Sequence, residues 1–158
     1  MGRGANVGAR PVLVGVDFSP GSEAALAWAV DAALAFDAPL IVVHVVHDPA
    51  EAPGYYLRLH GGDVEEIERV AQEMMGEFIA GARKRLPRFE EVARVEPVVV
   101  VGLPAPRIVE LAEREGARLI VMGAQGRTAL GDMLLGSKVE RVTRLSPIPV
   151  TVVKGSAG

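Results

Sequence analysis

Short apolar runs alternate with longer segments of helical period along most of the chain, and this alternation most limits how the chain can fold. The runs are nearly continuous stretches of Val, Ile and Leu, as expected of strands buried on both faces. Strands that alternate with helices in this way are typical of βαβ units around a parallel sheet. Five runs qualify as strands: 11–17, Leu40–Val46, Val95–Val101, 119–122 and Val150–Val153. The sequence therefore predicts an α/β domain.

The segments between these runs predict four helices. Ser19 followed by Pro20 is an N-cap and first-turn signature for an Ala-rich helix over 22–36. Residues 63–86 carry apolar side chains at steps of three or four with charged residues opposite, which predicts an amphipathic surface helix. A third helix follows Pro104 and stops at Gly116, and a fourth spans Ser137–Leu145. Residues 47–62 lack periodicity and predict a loop over one end of the sheet.

One proline helps to order the strands. Pro97 lies within the third run, and prolines in strands are confined to edges or bulges. An edge position for the third strand suits a sheet of order 3-2-1-4-5, the flavodoxin-like order. We therefore expect a single three-layer α/β/α domain over residues 11–154, with tails at 1–10 and 155–158. Such a sheet leaves Val150–Val153 exposed at the other edge, where it can pair with a second copy of the chain, so we also expect a homodimer.

Composition excludes several classes of function. The chain of 158 residues has no cysteine, which rules out disulfides, thiolate zinc sites and cysteine nucleophiles. With 17 Lys and Arg against 20 Asp and Glu, its net charge of −3 argues against nucleic acid or an anionic membrane as the main partner. The first ten residues do not resemble a signal peptide, and no apolar run approaches the length of a membrane span. We expect a cytoplasmic protein.

A glycine-rich segment follows the fourth predicted strand. It contains Gly123, Gly126, Gly131 and Gly136, and then Ser137 where that side chain could cap the next helix. A helix start at the carboxyl end of a parallel strand is a good anion site. Residues 131–138 narrowly miss a Walker A loop, and no G-x-G-x-x-G occurs. These residues favour phosphate binding and leave a merely structural glycine turn as the alternative.

The spacing G-x₂-G-x₉-G-S, formed by Gly123, Gly126, Gly136 and Ser137, resembles the ATP-binding motif of the universal stress protein family. The resemblance extends along almost the whole chain. It includes Asp17 with Phe18 and Ser19 after the first strand, His44-Val45 in the second, the sequence VGLP over 101–104, and the terminal PIPVTVV over 147–153.

The resemblance implies an ATP-binding protein that holds adenine near the ends of the first two strands. It also implies a divalent ion, Mg²⁺ or Mn²⁺, bound through the phosphates, and a homodimer formed through the last strand. Asp17 and the backbone at Val45 would contact the nucleoside. The glycine loop would hold ribose and phosphate through Gly123, Gly126, Gly136 and Ser137.

Three further residues depart from the family motif or stand beside it. Gly15 lies where family members often have other small residues or proline, which bears on the shape of the adenine pocket. Arg127 offers a bidentate phosphate contact, and Lys138 adds positive charge next to Ser137. For both cations the alternative is a solvated surface charge.

Other interpretations stay open at this level. Asp17 could cap the helix that begins near Ser19 instead of binding a ligand. His44, His47 and His60 lack acidic neighbours at metal-ligand spacing, so we expect them to be structural. No residue is an obvious choice to orient water for hydrolysis. The main hypothesis is thus a nucleotide-binding regulatory protein. There are two alternatives. One is a slow ATPase or autophosphorylating enzyme, in which Ser137 or Thr128 accepts phosphate. The other is a protein-interaction domain that binds no nucleotide.

Overall fold

The apolar runs form one five-stranded parallel sheet in a computed structural model, which describes residues 8–47, 64–124 and 135–155. Its strands are β1 (Val12–Gly15), β2 (Leu40–Val46), β3 (Val95–Val101), β4 (Leu119–Gly123) and β5 (Val150–Val153). Their order is β3-β2-β1-β4-β5, which confirms the predicted fold class. β1 ends at Gly15, two residues before the predicted end, because the chain turns out of the sheet at Asp17 to start a helix.

In the described ranges, four α-helices connect or follow these strands, close to the predicted positions. They are α1 (Pro20–Phe36), α2 (Val64–Arg85), α3 (Pro104–Arg114) and α4 (Ser137–Leu145). A 3₁₀ turn at Phe89–Glu91, which the sequence did not predict, places the Phe89 ring in the core with no exposure. Ser19 is the N-cap of α1 as predicted, since its hydroxyl oxygen accepts a hydrogen bond from the Ser22 N–H at 3.3 Å.

Helices cover both faces of the sheet, as the three-layer prediction requires. Alternate residues of β1 point to opposite faces, so Val12 and Val14 pack with α1 and α2 while Leu13 packs with α3 and α4. The many alanines of α1 allow that helix to lie close to the strands. None of the helices in the described part of the chain is both long and apolar enough to span a bilayer.

The two edges of the sheet are β3 and β5, and their hydrogen bonds explain why proline is tolerated at one of them. The Leu40 N–H donates to the Arg94 carbonyl at 2.9 Å, so even-numbered residues of β3 face β2 and Pro97 faces outward. Pro97 therefore costs no ladder hydrogen bond. The same alternation applies at β5. The Ile120 N–H donates to the Pro149 carbonyl at 2.9 Å, so odd-numbered residues of β5 face β4. The peptide groups of Val150 and Val152 therefore point away from the sheet.

Candidate functional site

The predicted site residues that the structure describes lie at the end of the sheet where the strands have their carboxyl termini. β1 is flanked by β2 and β4, so Gly15, Val45 and Gly123 approach this edge on three neighbouring strands. Asp17 follows β1, and α4 begins nearby after β4. The structure thus brings together residues that are about a hundred positions apart in the sequence. They lie where open parallel sheets bind ligands, and we call the space beyond the ends of β1, β2 and β4 the crevice.

Asp17 is held by a compact set of hydrogen bonds to the start of α1. Its Oδ1 accepts from the Ser19 N–H at 3.0 Å and from the Ser22 hydroxyl at 2.6 Å. The Ser22 hydroxyl oxygen in turn accepts from the Asp17 N–H at 2.7 Å. The alternative that Asp17 caps α1 is wrong, because Ser19 is the N-cap; the Asp17 carboxylate instead accepts from the N–H of that cap residue. Ser22, buried at 5% exposure, was missed from the sequence. The Asp-x-Ser-x-x-Ser spacing is the signal that could have found it.

These contacts keep the Asp17 carboxylate ionised. Burial raises its pKa, but the hydrogen bonds from Ser19 and Ser22 and the positive charge of Lys138 outweigh burial, so the net pKa is below the ordinary value of 3.8. The site therefore contains a fixed negative charge at neutral pH.

Val45 directs its peptide group toward the side of β2 where β1 has ended. The Val43 carbonyl accepts from the Val16 N–H at 2.9 Å, whereas the Val46 carbonyl accepts from the Gly102 N–H on the β3 side at 2.8 Å. Peptide groups alternate along a strand, so the N–H and C=O of Val45 point toward β1, beyond its last paired residue. The Val45 side chain is buried in the core, which leaves the backbone for ligand contact.

His44 explains why the β1–β2 ladder stops there. The next bond of a parallel ladder would join the Val45 N–H to the Val16 carbonyl. Instead, Nδ1–H of His44 donates to that carbonyl at 2.8 Å. His44 is buried at 6% exposure and has a structural role, as predicted. The sequence did not show that this role is to end the strand pairing beside Val45.

Phe18 adopts a backbone conformation that is unusual for a large side chain. Its φ is 66°, in the left-handed region, directly after Asp17. Its ring centroid lies 4.4 Å from that of His44 and 5.5 Å from that of Phe78 on α2. Strained residues of this kind tend to occur at ligand sites, where surrounding contacts hold them in place.

The two ends of the glycine-rich segment are joined by a hydrogen bond. The Gly136 N–H donates to the Ala124 carbonyl at 2.8 Å, and the Ala124 N–H donates to the Val153 carbonyl at 2.9 Å. The first turn of α4 is therefore fixed at the end of β4. Residues 125–134, including Gly126, Arg127, Thr128 and Gly131, lie outside the described residues.

The expectation that Ser137 caps α4 is wrong. Gly136 is the N-cap and makes no side-chain capping hydrogen bond. Ser137 is the first helical residue and is exposed. A helix start without a side-chain cap leaves its first N–H groups to other acceptors, and the helix dipole favours an anion there.

Lys138 is half-buried and its charge acts on groups from two different strands. It lowers the pKa of Asp17, and it adds to the effect of burial in lowering the pKa of His47 below the ordinary 6.5. Asp17 follows β1 and His47 follows β2, so Lys138 at the start of α4 acts on groups at this end of the sheet. Whether it contacts a phosphate or is a solvated surface charge stays a prediction.

Gly15 has a packing reason to be glycine. A Cβ added there would lie 2.6 Å from Sδ of Met122 on β4 and 3.2 Å from Cδ1 of Ile108 on α3. Gly15 therefore allows α3 and β4 to pack closely beneath the site. Whether it also shapes an adenine pocket stays a prediction.

Side chains suited to hold a metal ion are sparse in the described ranges. Those ranges contain no group of three or more His, Asp or Glu side chains that could hold one. Asp17 is the acidic side chain placed at the crevice, and its Oδ1 already accepts two hydrogen bonds.

Comparison with known proteins matches residues 8–154 to the universal stress protein family. A universal stress protein of Mycobacterium tuberculosis strain H37Rv is 36% identical over 146 residues, which is 92% of this chain and 46% of the relative. One of Methanocaldococcus jannaschii is 33% identical over 145 residues, covering 92% of this chain and 82% of that relative. The chain thus spans about half the length of the mycobacterial relative.

Solved structures show the same fold. A universal stress protein of Archaeoglobus fulgidus in complex with dAMP has 26% identity and a TM-score of 0.64, covering 92% of this chain and 98% of that one. A universal stress protein in complex with cAMP has 25% identity and a TM-score of 0.65, with 91% and 96% covered. From the family match over 8–154 and these relatives, the chain belongs to the universal stress protein family.

Proposed function

We propose that this chain binds an adenine nucleotide, with ATP as its main ligand, and acts as a nucleotide-dependent regulatory protein of the stress response. The observation that carries the proposal is the meeting of three kinds of recognition group at one crevice. These are the outward peptide group of Val45, the Asp17 carboxylate, and the start of α4 with Lys138 beside it. They suit the base, the ribose hydroxyls and the phosphates of a nucleotide, respectively.

The solved relatives support an adenine nucleotide, since two of them are complexes with cAMP and dAMP. The remaining predicted contacts, Gly15, Gly123, Gly126, Arg127, Gly136 and Ser137, are part of this proposal. So is Mg²⁺ or Mn²⁺, as an ion bound through the phosphates. The proposal also keeps the domain over residues 11–154 and a cytoplasmic location, where ATP is abundant.

The test is to denature the purified protein and analyse the released nucleotide by anion-exchange chromatography. A stoichiometric adenine nucleotide supports the proposal, and retained ATP rather than ADP argues against efficient hydrolysis. No released nucleotide, together with no calorimetric response to Mg-ATP, would favour the protein-interaction alternative.

A matched pair of glycine variants locates the site. Gly126→Val should abolish binding, because a branched side chain blocks close approach of the backbone to phosphate. Gly76 lies on α2, where an added Cβ meets no atom within 4 Å, so Gly76→Val is the control and should bind normally. Unchanged affinity in Gly126→Val would show that the site is misplaced.

We further propose that the chain forms a homodimer through β5. This strand is at the edge of the sheet, and the peptide groups of Val150 and Val152 point away from β4. An unpaired edge of this kind readily accepts a second strand. Nucleic acid and membranes are not part of the proposed set of partners.

A further inference from the structure

We propose that His44 is a positioning residue for the nucleotide base. By donating to the Val16 carbonyl, its imidazole keeps the Val45 N–H available to an acceptor atom on the ligand. This inference rests on the proposed nucleotide site and deepens it. His44 acts through the main chain of its neighbour and does not itself touch the ligand.

A hydrogen bond that is absent from the β1–β2 ladder is the starting point. The Val16 N–H donates to the Val43 carbonyl at 2.9 Å, so the two chains keep their register one residue beyond the last paired residue, Gly15. The next bond of a parallel ladder would run from the Val45 N–H to the Val16 carbonyl. These two described residues form no such bond, so the Val45 N–H faces the crevice without a main-chain partner in the described ranges.

The direction of the Val16 carbonyl explains why the bond is absent. Side chains alternate along β2, and His44 lies on the same face as Leu40 and Val42, which pack with α1 and α2. From that face, Nδ1–H of His44 donates to the Val16 carbonyl at 2.8 Å. The carbonyl is therefore drawn out of the plane of the sheet, whereas the Val45 N–H points along that plane.

The His44 ring is fixed by packing as well as by this hydrogen bond. His44 is 6% exposed, and its ring centroid lies 4.4 Å from that of Phe18. The Phe18 ring in turn packs edge-on against Phe78 of α2, with 5.5 Å between the centroids. Phe18 has its left-handed φ of 66° directly after Asp17, where the chain leaves the sheet. A ring held in this way keeps the Val16 carbonyl in one direction.

The main-chain groups of Val45 that face the crevice define the kind of base edge that fits. The N–H and C=O of one residue point to the same side of a strand, so Val45 offers a donor and an acceptor side by side. The edge of adenine presents ring N1 as an acceptor beside the 6-amino donor, which complements this pair. Pairing of the Val45 N–H with the Val16 carbonyl would remove the donor and leave N1 without a partner. His44 therefore maintains the contact to N1.

The experiment measures by calorimetry the affinities for ATP and for 1-deaza-ATP, in which a C–H group replaces the N1 acceptor. His44→Leu removes the donor to Val16, whereas His44→Asn keeps an N–H donor close to the position of Nδ1. We expect wild type and His44→Asn to prefer ATP by about fivefold, the size of one neutral hydrogen bond. His44→Leu should bind ATP about fivefold more weakly than wild type and show no preference. Val42→Ala, on the same face of β2, is the control and should keep the preference.

Three results would overturn the inference while ATP binding stands: a wild type without preference for ATP over the analogue, a His44→Leu protein that keeps the preference, or a His44→Asn protein that loses it. A Val42→Ala protein that loses the preference would also overturn it, since any loosening of β2 would then have the same effect. Absence of ATP binding to wild type would overturn the proposed function and the inference together.

Amide hydrogen exchange of the nucleotide-free proteins gives a separate readout. In wild type the Val45 amide should exchange roughly tenfold or more faster than the Val43 amide, which lies in the paired part of β2. In His44→Leu the Val45 amide should slow toward the Val43 rate, because it can then pair with the Val16 carbonyl. Equal exchange of the Val45 amide in wild type and His44→Leu would contradict the proposed role.

Discussion

Replacing Gly15 by alanine tests the packing beneath the site. The new Cβ would lie 2.6 Å from the Met122 Sδ atom and 3.2 Å from the Ile108 Cδ1 atom. Carbon atoms pack best at about 3.5–4.0 Å, so the first contact is too short by roughly 1 Å. Met122 is 7% exposed and Ile108 4% exposed, which leaves both side chains little room to move.

The expected cost combines two effects of opposite sign. Overpacking of a core by one methyl group costs about 1–3 kcal/mol. Replacing glycine by alanine restricts the unfolded chain and returns about 0.4–1 kcal/mol where the backbone allows it. Taking the middle of each range, the net loss is about 1.3 kcal/mol, which lowers Tm by about 3–5 °C for a domain of this size.

Thermal and urea unfolding of four proteins would measure this: wild type, Gly15→Ala, Met122→Leu and the double variant. Met122→Leu removes the sulfur from the contact, so the double variant should recover at least about 0.5 kcal/mol of the loss. Gly76→Ala, on the exposed side of α2, controls for the intrinsic effect and should be stabilising. A Gly15→Ala protein as stable as wild type, or a loss unchanged by Met122→Leu, would refute the reasoning.

Three further predictions follow from the same contacts. Ser22→Ala should lower the free energy of unfolding by about 1–3 kcal/mol, because it removes the partner of both the Asp17 carboxylate and the Asp17 N–H. Chemical denaturation measures this loss, and an unchanged midpoint would contradict the prediction. The pKa of Asp17 is below 3.8 in the folded state, so its contribution to stability is present above pH 3.8 and is lost as the pH falls through the folded pKa. Unfolding curves at decreasing pH should therefore show a shallower loss of stability for Asp17→Asn than for wild type. Parallel losses in the two proteins would contradict this prediction. Val152→Pro should give a monomer in sedimentation while the fold survives, because it removes an N–H that points away from the sheet. Thr151→Pro is the contrast, since it removes an N–H that faces β4 and should destabilise the fold. A dimeric Val152→Pro protein would exclude pairing through β5.

Much of the architecture could be predicted because it depends on local pattern. A strand buried on both faces must be apolar throughout, which explains why β2 was located from its apolar run. The edge strands β3 and β5 are only partly buried, but their valine-rich runs were also found at the predicted bounds. The predicted edge position of Pro97 is correct because a proline cannot donate to a ladder. The helix starts were less accurate. Ser19 caps α1 as predicted, but Gly136 caps α4 in place of Ser137, since a cap is defined by backbone geometry that residue type only favours.

The sequence could name candidate site residues but not their arrangement. The spacing of glycines and the position of Asp17 after β1 are sequence properties, and they predict where a nucleotide would bind. The role of His44 in ending the ladder was not predictable, because it depends on a hydrogen bond to Val16, which is 28 positions away in the chain.

The sequence by itself determined the class of fold, the edge strands and the family, because periodicity, proline positions and motif spacing are written along one chain. The tertiary structure alone decided which groups face one another at the crevice. The direction of the Val45 peptide group depends on its register with β1 and β3. The effect of Lys138 on the pKa of Asp17 depends on the start of α4 being fixed at the end of β4, the strand next to β1. Electrostatic and hydrogen-bonding interactions act over a few ångströms in space, and only folding brings residues so far apart in sequence within that range.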